Sequence, residues 1–159
     1  MQDMELLGLV RFSPSHGVMQ PVRLACDRFE SLLPQFQAEL LHREELQMMF
    51  VLGDLNKGLA LLRVALDSAS LDGFVISGGL AQGIRSRATL ASSLAGFTEG
   101  SMEMLFEIAN TAGPQEIAIS PKLSSLIKLA APDYADQFRP VTHARSSGRV
   151  RSPLIMSVV

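Results

Sequence analysis

The stretch that most constrains the fold is Gly100–Ser120, which reads GSMEMLFEIANTAGPQEIAIS. Ser101 can act as an N-cap, because its hydroxyl can accept a hydrogen bond from an unpaired N–H of the first helical turn. Apolar residues then recur at i, i+3, i+4 and i+7, which predicts one buried helical face. Gly113 and Pro114 supply stop signals, and Glu116–Ser120 alternates as a short strand. The stretch therefore predicts a helix, a tight turn and a strand around a shared core.

The first part of the chain predicts a strand followed by two helices. Leu6–Phe12 is a short apolar run that ends in a turn cluster, which is typical of a buried strand. Apolar residues at three- and four-residue spacing predict a helix that begins at Pro21. Pro34 lacks an N–H and clashes with the preceding turn. We therefore expect a second helix from Pro34 to about Leu46.

The next segment has two interpretations. In the first, Met48–Leu52 is a strand, Gly53–Gly58 is a turn, and either a strand or a helix follows from Leu59; of these we favour a helix from about Leu59 to Ala69. In the second, Asp54 caps a helix with one leucine-rich face. The leucines of that face are Leu55, Leu59, Leu62 and Leu66. We favour the first interpretation.

The remaining segments complete an alternating order of strands and helices. Phe74–Ser77 predicts a central strand, residues 78–86 a loop or hairpin connection, and Arg87–Leu94 a further strand. A short helix is expected at residues 120–129, and a last strand at Phe138–Val141. This order implies an α+β sandwich of the ferredoxin-like type, with helices packed against a mostly antiparallel sheet.

Composition limits the class of protein. The length of 159 residues suits one domain, which we place at residues 1–141, followed by a flexible basic tail at 142–159 with an apolar end. A net charge of −2 argues against general nucleic-acid binding. The single cysteine excludes an intramolecular disulfide. The chain contains no run of the about 18 uncharged apolar residues that are needed to span a bilayer. We expect a cytoplasmic protein.

The order of elements and the EIANTAGPQEIAIS stretch resemble the class III nucleotidyl cyclase homology domain. Glu116 and Ile117 match the family's strand, Pro114 its turn and Ala112 its helix end, while FVISGGLAQG resembles its preceding strand and glycine-rich hairpin. The resemblance extends over most of residues 5–141 and is carried chiefly by residues 74–127. It implies the cyclase fold, head-to-tail pairing and, by analogy, a bacterial origin.

The catalytic residues of that family are largely replaced. The resemblance requires two metal-binding aspartates and an Asn/Arg pair that positions the ribose and stabilises the transferring charge. The first strand ends Val10-Arg11-Phe12-Ser13, without a carboxylate. Only Asp54 matches the second aspartate, and a lone carboxylate holds Mg²⁺ weakly. The Asn and Arg positions hold Glu103 and Glu107. We therefore expect no catalytic residues, no cofactor and no metal.

These observations favour a non-catalytic signalling or assembly module that acts through protein contacts, as a homodimer or with a related domain. Glu103, Glu107 and Asn110 form a polar stripe, either a solvated helix face or a contact for a basic partner. The apolar end would be covered by the chain's own sheet edge or by another subunit, and its contact candidates are Leu154, Ile155 and Met156. The alternatives are an active or divergent cyclase that acts on ATP or GTP, and a small-ligand sensor that uses the vacated cleft.

Overall fold

The structure is a computed structural model and describes residues 5–14, 20–83, 97, 99–135, 138–140 and 154–157. Its described strands form one seven-stranded sheet in the order β2-β3-β1-β4-β5-β7-β6. The strands are β1 (Glu5–Pro14), β2 (Glu39–Glu44), β3 (Gln47–Leu52), β4 (Phe74–Gly83), β5 (Glu116–Ile119), β6 (Phe138–Pro140) and β7 (Leu154–Ser157). The α-helices are α1 (Gln20–Leu32), α2 (Leu55–Asp72), α3 (Glu99–Thr111), α4 (Pro121–Ala130) and α5 (Pro132–Ala135).

The sheet is antiparallel at every described pairing except one. β1 pairs antiparallel with β3 and β4, β2 pairs antiparallel with β3, and β7 pairs antiparallel with β5 and β6. β4 and β5 are parallel, and α3 lies between them in the sequence. The predicted fold class, a mostly antiparallel sheet packed with helices, is therefore confirmed.

Alternating side chains of β1 pack into two separate hydrophobic cores, one on each face of the sheet. Leu6, Val10 and Phe12 lie on the face that packs with α1, α2 and α4. Leu7 and Leu9 lie on the opposite face, in a smaller cluster with the buried side of α3. This period of two places every second residue of β1 toward α3, and Arg11 follows Leu7 and Leu9 in that series.

The predicted helix from Pro34 to Leu46 is wrong. Leu33–Phe36 form only one 3₁₀ turn, which ends at Gln37 with a left-handed φ of 58°. The chain then extends into β2 and returns as β3, so residues 45 and 46 form the turn of a hairpin. β2 is an edge strand whose apolar residues are half-exposed. Its register shifts at a bulge after Leu40, so its apolar residues do not alternate regularly and their spacing resembled that of a helix.

After β3, the helix of the second interpretation, with Asp54 as its N-cap, is confirmed. Asp54 is the N-cap of α2, and its side chain accepts a hydrogen bond of 3.0 Å from the backbone N–H of Lys57. The strand at Met48–Leu52 is confirmed as part of β3, whereas the turn predicted at Gly53–Gly58 is wrong. Capping within the first helical turn satisfies an otherwise unpaired N–H, which favours the helix over a second hairpin.

The glycines after Ser77 lie within β4 rather than in a hairpin connection. A β-carbon on Gly79 would lie 2.9 Å from the backbone nitrogen of Ala109, so this glycine lets α3 approach the sheet closely. Ser101 is buried inside α3, which begins at Glu99, so the predicted N-cap at Ser101 is wrong. The strand predicted at Arg87–Leu94 lies outside the described residues.

The later elements agree with their predicted positions. The strand predicted at Leu6–Phe12 lies within β1, and most of the strand predicted at Glu116–Ser120 forms β5. Phe138–Pro140 of the predicted last strand form β6, and residue 141 lies outside the described residues. The short helix is α4, and the hydroxyl of Ser120 caps it by accepting from the N–H of Leu123. Residues 154–157, which we assigned to the tail, form β7 between β5 and β6. The chain's own sheet therefore pairs with this apolar segment.

Within the described parts of the chain, no helix combines the length and the apolar character needed to cross a membrane.

Candidate functional site

An arginine inside the apolar strand β1 is the centre of the candidate site. Arg11 lies opposite Gln47 of β3, and its Nε donates a hydrogen bond of 3.1 Å to the side-chain oxygen of Gln47. One of its terminal nitrogens donates a bond of 2.8 Å to Oδ1 of Asn110 at the end of α3. A charged group beside a buried strand requires such polar partners. Arg11 therefore connects β1 to both β3 and α3.

The β2–β3 hairpin turn lies beside Arg11. The backbone N–H of Phe12 donates a bond of 2.8 Å to the carbonyl of Leu46 in that turn. The carboxylate in the turn is Glu45, and it pairs at 2.7 Å with Arg23 of α1. Both side chains of this pair are mostly exposed, so the pair contributes little stability, but it engages the carboxylate.

A second ion-pair cluster holds the hairpin against α1. Arg43 of β2 donates bonds of 2.8 Å to Glu30 and 2.7 Å to Asp27. The side-chain hydrogen bonds to Glu30 and Asp27 raise the pKa of Arg43 further above its ordinary value, so the guanidinium stays charged. Two carboxylates of α1 thus contact one guanidinium of β2.

The turn after α3 positions Asn110. Gln115 adopts a left-handed φ of 60°, and its backbone N–H donates a bond of 2.8 Å to the carbonyl of Ile76. The side-chain oxygen of Gln115 also accepts a bond of 2.8 Å from the N–H of Ile76. The carboxylate of Glu116 accepts from the N–H of Gly113, which closes the turn. These bonds connect the end of α3 to β4, and they place Asn110 within reach of Arg11.

The outer face of α3 carries the predicted acidic stripe. Glu103 and Asn110 are exposed, and Glu107 is half-buried. Met104 lies beside Glu103 with 44% of its surface exposed. The structure therefore brings the three predicted stripe residues onto one helix surface and adds an apolar side chain to it.

The other predicted contact residues lie on a different element. Leu154, Ile155 and Met156 belong to β7, whose register partners in β5 are Ile119, Ala118 and Ile117. α3 packs on β1, β4 and β5, whereas β7 lies beyond β5 in the sheet. The two groups of candidate residues thus belong to separate parts of the sheet.

Asp54 lies away from Arg11. Gln47 at one end of β3 pairs with Arg11, and Asp54 follows the opposite end of the same strand. Seven residue steps at about 3.3 Å per residue place the two backbones on the order of 20 Å apart. In the described part of the chain, no three His, Cys, Asp or Glu side chains are grouped as a metal site would require.

Comparison with known proteins identifies the architecture. No family model matches the chain, and no curated protein matches it with significance. Among solved structures, it resembles the guanylate cyclase domain of RhGC from Catenaria anguillulae in complex with GTP, at 8% identity and a TM-score of 0.67, covering 99% of this chain and 97% of that one. It also resembles a dimeric guanylyl cyclase domain of the RhoGC fusion protein from Blastocladiella emersonii, at 9% identity and a TM-score of 0.67, covering 98% and 97%.

A third solved structure, of adenylate cyclases from Trypanosoma brucei in their monomeric state, gives 10% identity and a TM-score of 0.68, covering 98% of this chain and 88% of that one. The chain has the fold of the class III nucleotidyl cyclase domains. At such low identities the likeness concerns the fold, so the residues of this chain must decide its chemistry.

Within the cyclase fold, sequence reasoning missed the partners of Arg11. The absence of a carboxylate at the end of β1 was visible, but the hydrogen bonds from Arg11 to Gln47 and Asn110 depend on the β2–β3 hairpin and on the end of α3. The available signal was the arginine itself, because a cation within the run LLGLVRF needs buried or half-buried partners.

Proposed function

We propose that this chain is a non-catalytic signalling or assembly module with the cyclase fold, which acts by pairing with a second copy of itself or with a related domain. The observation that carries the proposal is Arg11. Its guanidinium stands at the end of the first strand, where the cyclase resemblance requires a metal-binding carboxylate, and it is held by Gln47 and Asn110.

A guanidinium at this position opposes metal binding. Two unit charges about 4 Å apart interact by roughly 4 kcal/mol at an effective dielectric constant of 20, and a divalent ion doubles that value. Arg11 would therefore repel Mg²⁺ with an energy comparable to the attraction that a carboxylate would supply. Glu45, the carboxylate of the adjacent hairpin turn, is paired with Arg23. These contacts support a site that does not recruit metal ions.

The charges on α3 oppose nucleotide binding as well. Glu103 and Glu107 stand where the cyclase resemblance places an asparagine and an arginine, so a triphosphate would meet carboxylates rather than a cation. Loss of the metal ligand and of the transition-state cation together would remove several orders of magnitude of rate.

The outer face of α3 is the surface that we propose for partner contact. Glu103 and Glu107 are four residues apart, so their carboxylates lie on one face of α3. They offer a charge-complementary contact to a Lys or Arg of a partner, and Met104 would supply apolar contact area. Leu154, Ile155 and Met156 remain contact candidates, although strand addition at β7 is excluded because β5 and β6 pair with both of its edges.

The direct test of assembly is light scattering coupled to size exclusion over a range from about 1 to 100 µM. We expect a dimer that the double variant Glu103→Lys, Glu107→Lys converts to a monomer. The matched control is Glu39→Lys, Asp133→Lys, which reverses two exposed charges outside α3 and should leave the dimer intact. A strict monomer at 100 µM would contradict self-pairing, and a dimer unaffected by the α3 variant would contradict the assigned surface.

The alternative of an active cyclase is tested on the same protein. With ATP or GTP and Mg²⁺ or Mn²⁺, we expect neither cyclic nucleotide nor a metal-dependent thermal shift. Metal-dependent formation of cyclic nucleotide by the wild-type chain would overturn the non-catalytic proposal. A thermal shift with an unrelated metabolite that Arg11→Gln abolishes would instead support the third candidate, a small-ligand sensor in the vacated cleft.

A further inference from the structure

A small cavity opens on the face of the sheet opposite α3. It has a volume of about 70 Å³ and lies between α1, α2 and the adjoining ends of β1 and β4. By the volume that one water requires, it has room for about five water molecules. Arg11 and α3 belong to the other face, so this cavity is separate from the candidate site described above.

The interior of the cavity is apolar. Three phenyl rings line it, those of Phe12, Phe29 and Phe74, and each ring is at most 5% exposed. Phe12 contacts Phe29 edge-on with ring centroids 5.7 Å apart, and Phe74 lies 5.9 Å from Phe12. Ala25 and Ala65 complete the wall with short side chains that leave the space open. A compact aliphatic group would find close contact on several sides.

The rim of the cavity carries one positive and one negative group. Arg28 of α1 and Asp72 at the end of α2 both line it, and their nearest nitrogen and oxygen atoms are 3.6 Å apart. Their side chains are 72% and 51% exposed, and pairs of this kind contribute little net stability. A ligand can therefore separate this ion pair and bind both groups with its own charges at a small cost in free energy.

We infer that this cavity binds a small apolar α-amino acid as its zwitterion. The ligand carboxylate pairs with the Arg28 guanidinium, the ammonium pairs with the Asp72 carboxylate, and a branched side chain of about four carbons enters the phenyl-lined interior. A zwitterion pairs with both rim charges at once. A simple carboxylate would instead place a like charge beside Asp72, and a simple amine would place a like charge beside Arg28. Ser68, which also lines the cavity, offers a hydroxyl to the polar end of the ligand.

The test is isothermal titration calorimetry of the full chain with L-leucine, 4-methylpentanoate, isoamylamine and glycine. We expect L-leucine to bind with a dissociation constant on the order of 0.1 mM, and each of the other three compounds to bind at least about tenfold more weakly. 4-Methylpentanoate lacks the ammonium, isoamylamine lacks the carboxylate, and glycine lacks the side chain. 4-Methylpentanoate or isoamylamine binding as tightly as L-leucine would overturn the zwitterion assignment, and no L-leucine binding at 10 mM would overturn the site.

Variants identify the location. Arg28→Gln and Asp72→Asn should each weaken L-leucine binding at least about tenfold. Ala65→Met should abolish it by filling the cavity, with retained folding checked by circular dichroism. The matched control is Arg63→Gln, because Arg63 forms a comparable pair of 3.5 Å with Asp67 on the outside of α2. L-leucine affinity that Arg28→Gln and Ala65→Met both leave unchanged would refute this cavity as the site, whatever the oligomeric state of the protein.

Discussion

Gln115 offers the sharpest test of how the turn after α3 is held. Its side-chain oxygen accepts the N–H of Ile76, a residue whose side chain is fully buried, at 2.8 Å. Gln115→Ala removes the acceptor and leaves that N–H without its partner. Leaving a buried donor unpaired costs about 1 to 3 kcal/mol, and the site is only partly buried, so we expect a loss of about 1 to 2 kcal/mol in the free energy of unfolding.

The chain supplies a matched control for the backbone. Gln37 also adopts a left-handed φ, 58° against 60° for Gln115, and no described residue exchanges a hydrogen bond with its side chain. Gln37→Ala therefore makes the same chemical change on the same backbone conformation without removing an acceptor. We expect it to change the stability by less than about 0.5 kcal/mol, as surface substitutions usually do.

The assay is urea denaturation followed by far-ultraviolet circular dichroism, because the chain contains no tryptophan. In thermal denaturation followed by the same signal, the expected loss corresponds to a decrease of about 2 to 8 °C in Tm for a protein of this size. Gln115→Glu keeps an oxygen acceptor and should stay close to the wild type. Equal stabilities of Gln115→Ala and Gln37→Ala would show that this hydrogen bond does not stabilise the turn, and so would a loss in Gln115→Glu as large as that in Gln115→Ala.

Three further predictions concern packing and charge. Gly79→Ala should destabilise the protein by about 1 to 3 kcal/mol in the same denaturation assay, because its β-carbon would lie 2.9 Å from the backbone of α3; wild-type stability would contradict this close approach. Arg43→Gln should lose up to about 1 kcal/mol at low salt and less in 1 M NaCl, whereas Arg23→Gln, which loses one exposed pair, should change little; equal losses would contradict the paired-carboxylate argument. Burial raises the pKa of Cys26 to about 11, against a weaker lowering by Arg43. The unfolded thiol titrates near pH 8.5 to 9, so the free energy of unfolding should fall from about pH 9 to 11 in the wild type and fall less in Cys26→Ala; equal slopes would contradict the shift.

The sequence predicted the second half of the chain better than the first. Local signals sufficed for β5 and α4, where alternation, Pro121 and the Ser120 cap all indicate the same boundaries. The β2–β3 hairpin was missed because its turn, residues 45 and 46, contains no glycine, proline or asparagine. Edge position also weakened the alternation in β2, since side chains on both of its faces are partly exposed.

The candidate site was predictable only in part, for a related reason. Glu103, Glu107 and Asn110 lie on one helix, so their spacing alone placed them on a common surface. The contacts of Arg11 join residues 36 and 99 positions apart in the chain, and no local pattern reports such pairs. The cavity beside Arg28 and Asp72 likewise arises from the packing of α1 against α2.

Two positions carry charges opposite to those that the cyclase resemblance requires, one on the first strand and one on α3. The cyclase resemblance requires a carboxylate at the end of the first strand and a cation on the helix before β5, and this chain has Arg11 on the strand and Glu107 on the helix. Such an exchange would remove the attraction for metal and triphosphate, yet it leaves a cationic and an acidic position on the same face of the fold. In the head-to-tail pairing that we propose, these opposite charges would be brought toward each other, and the same substitutions would then favour assembly. On that argument Arg11→Glu should weaken the dimer, and its combination with Glu107→Arg should restore it, as measured by light scattering; no restoration would mean that the two positions do not meet.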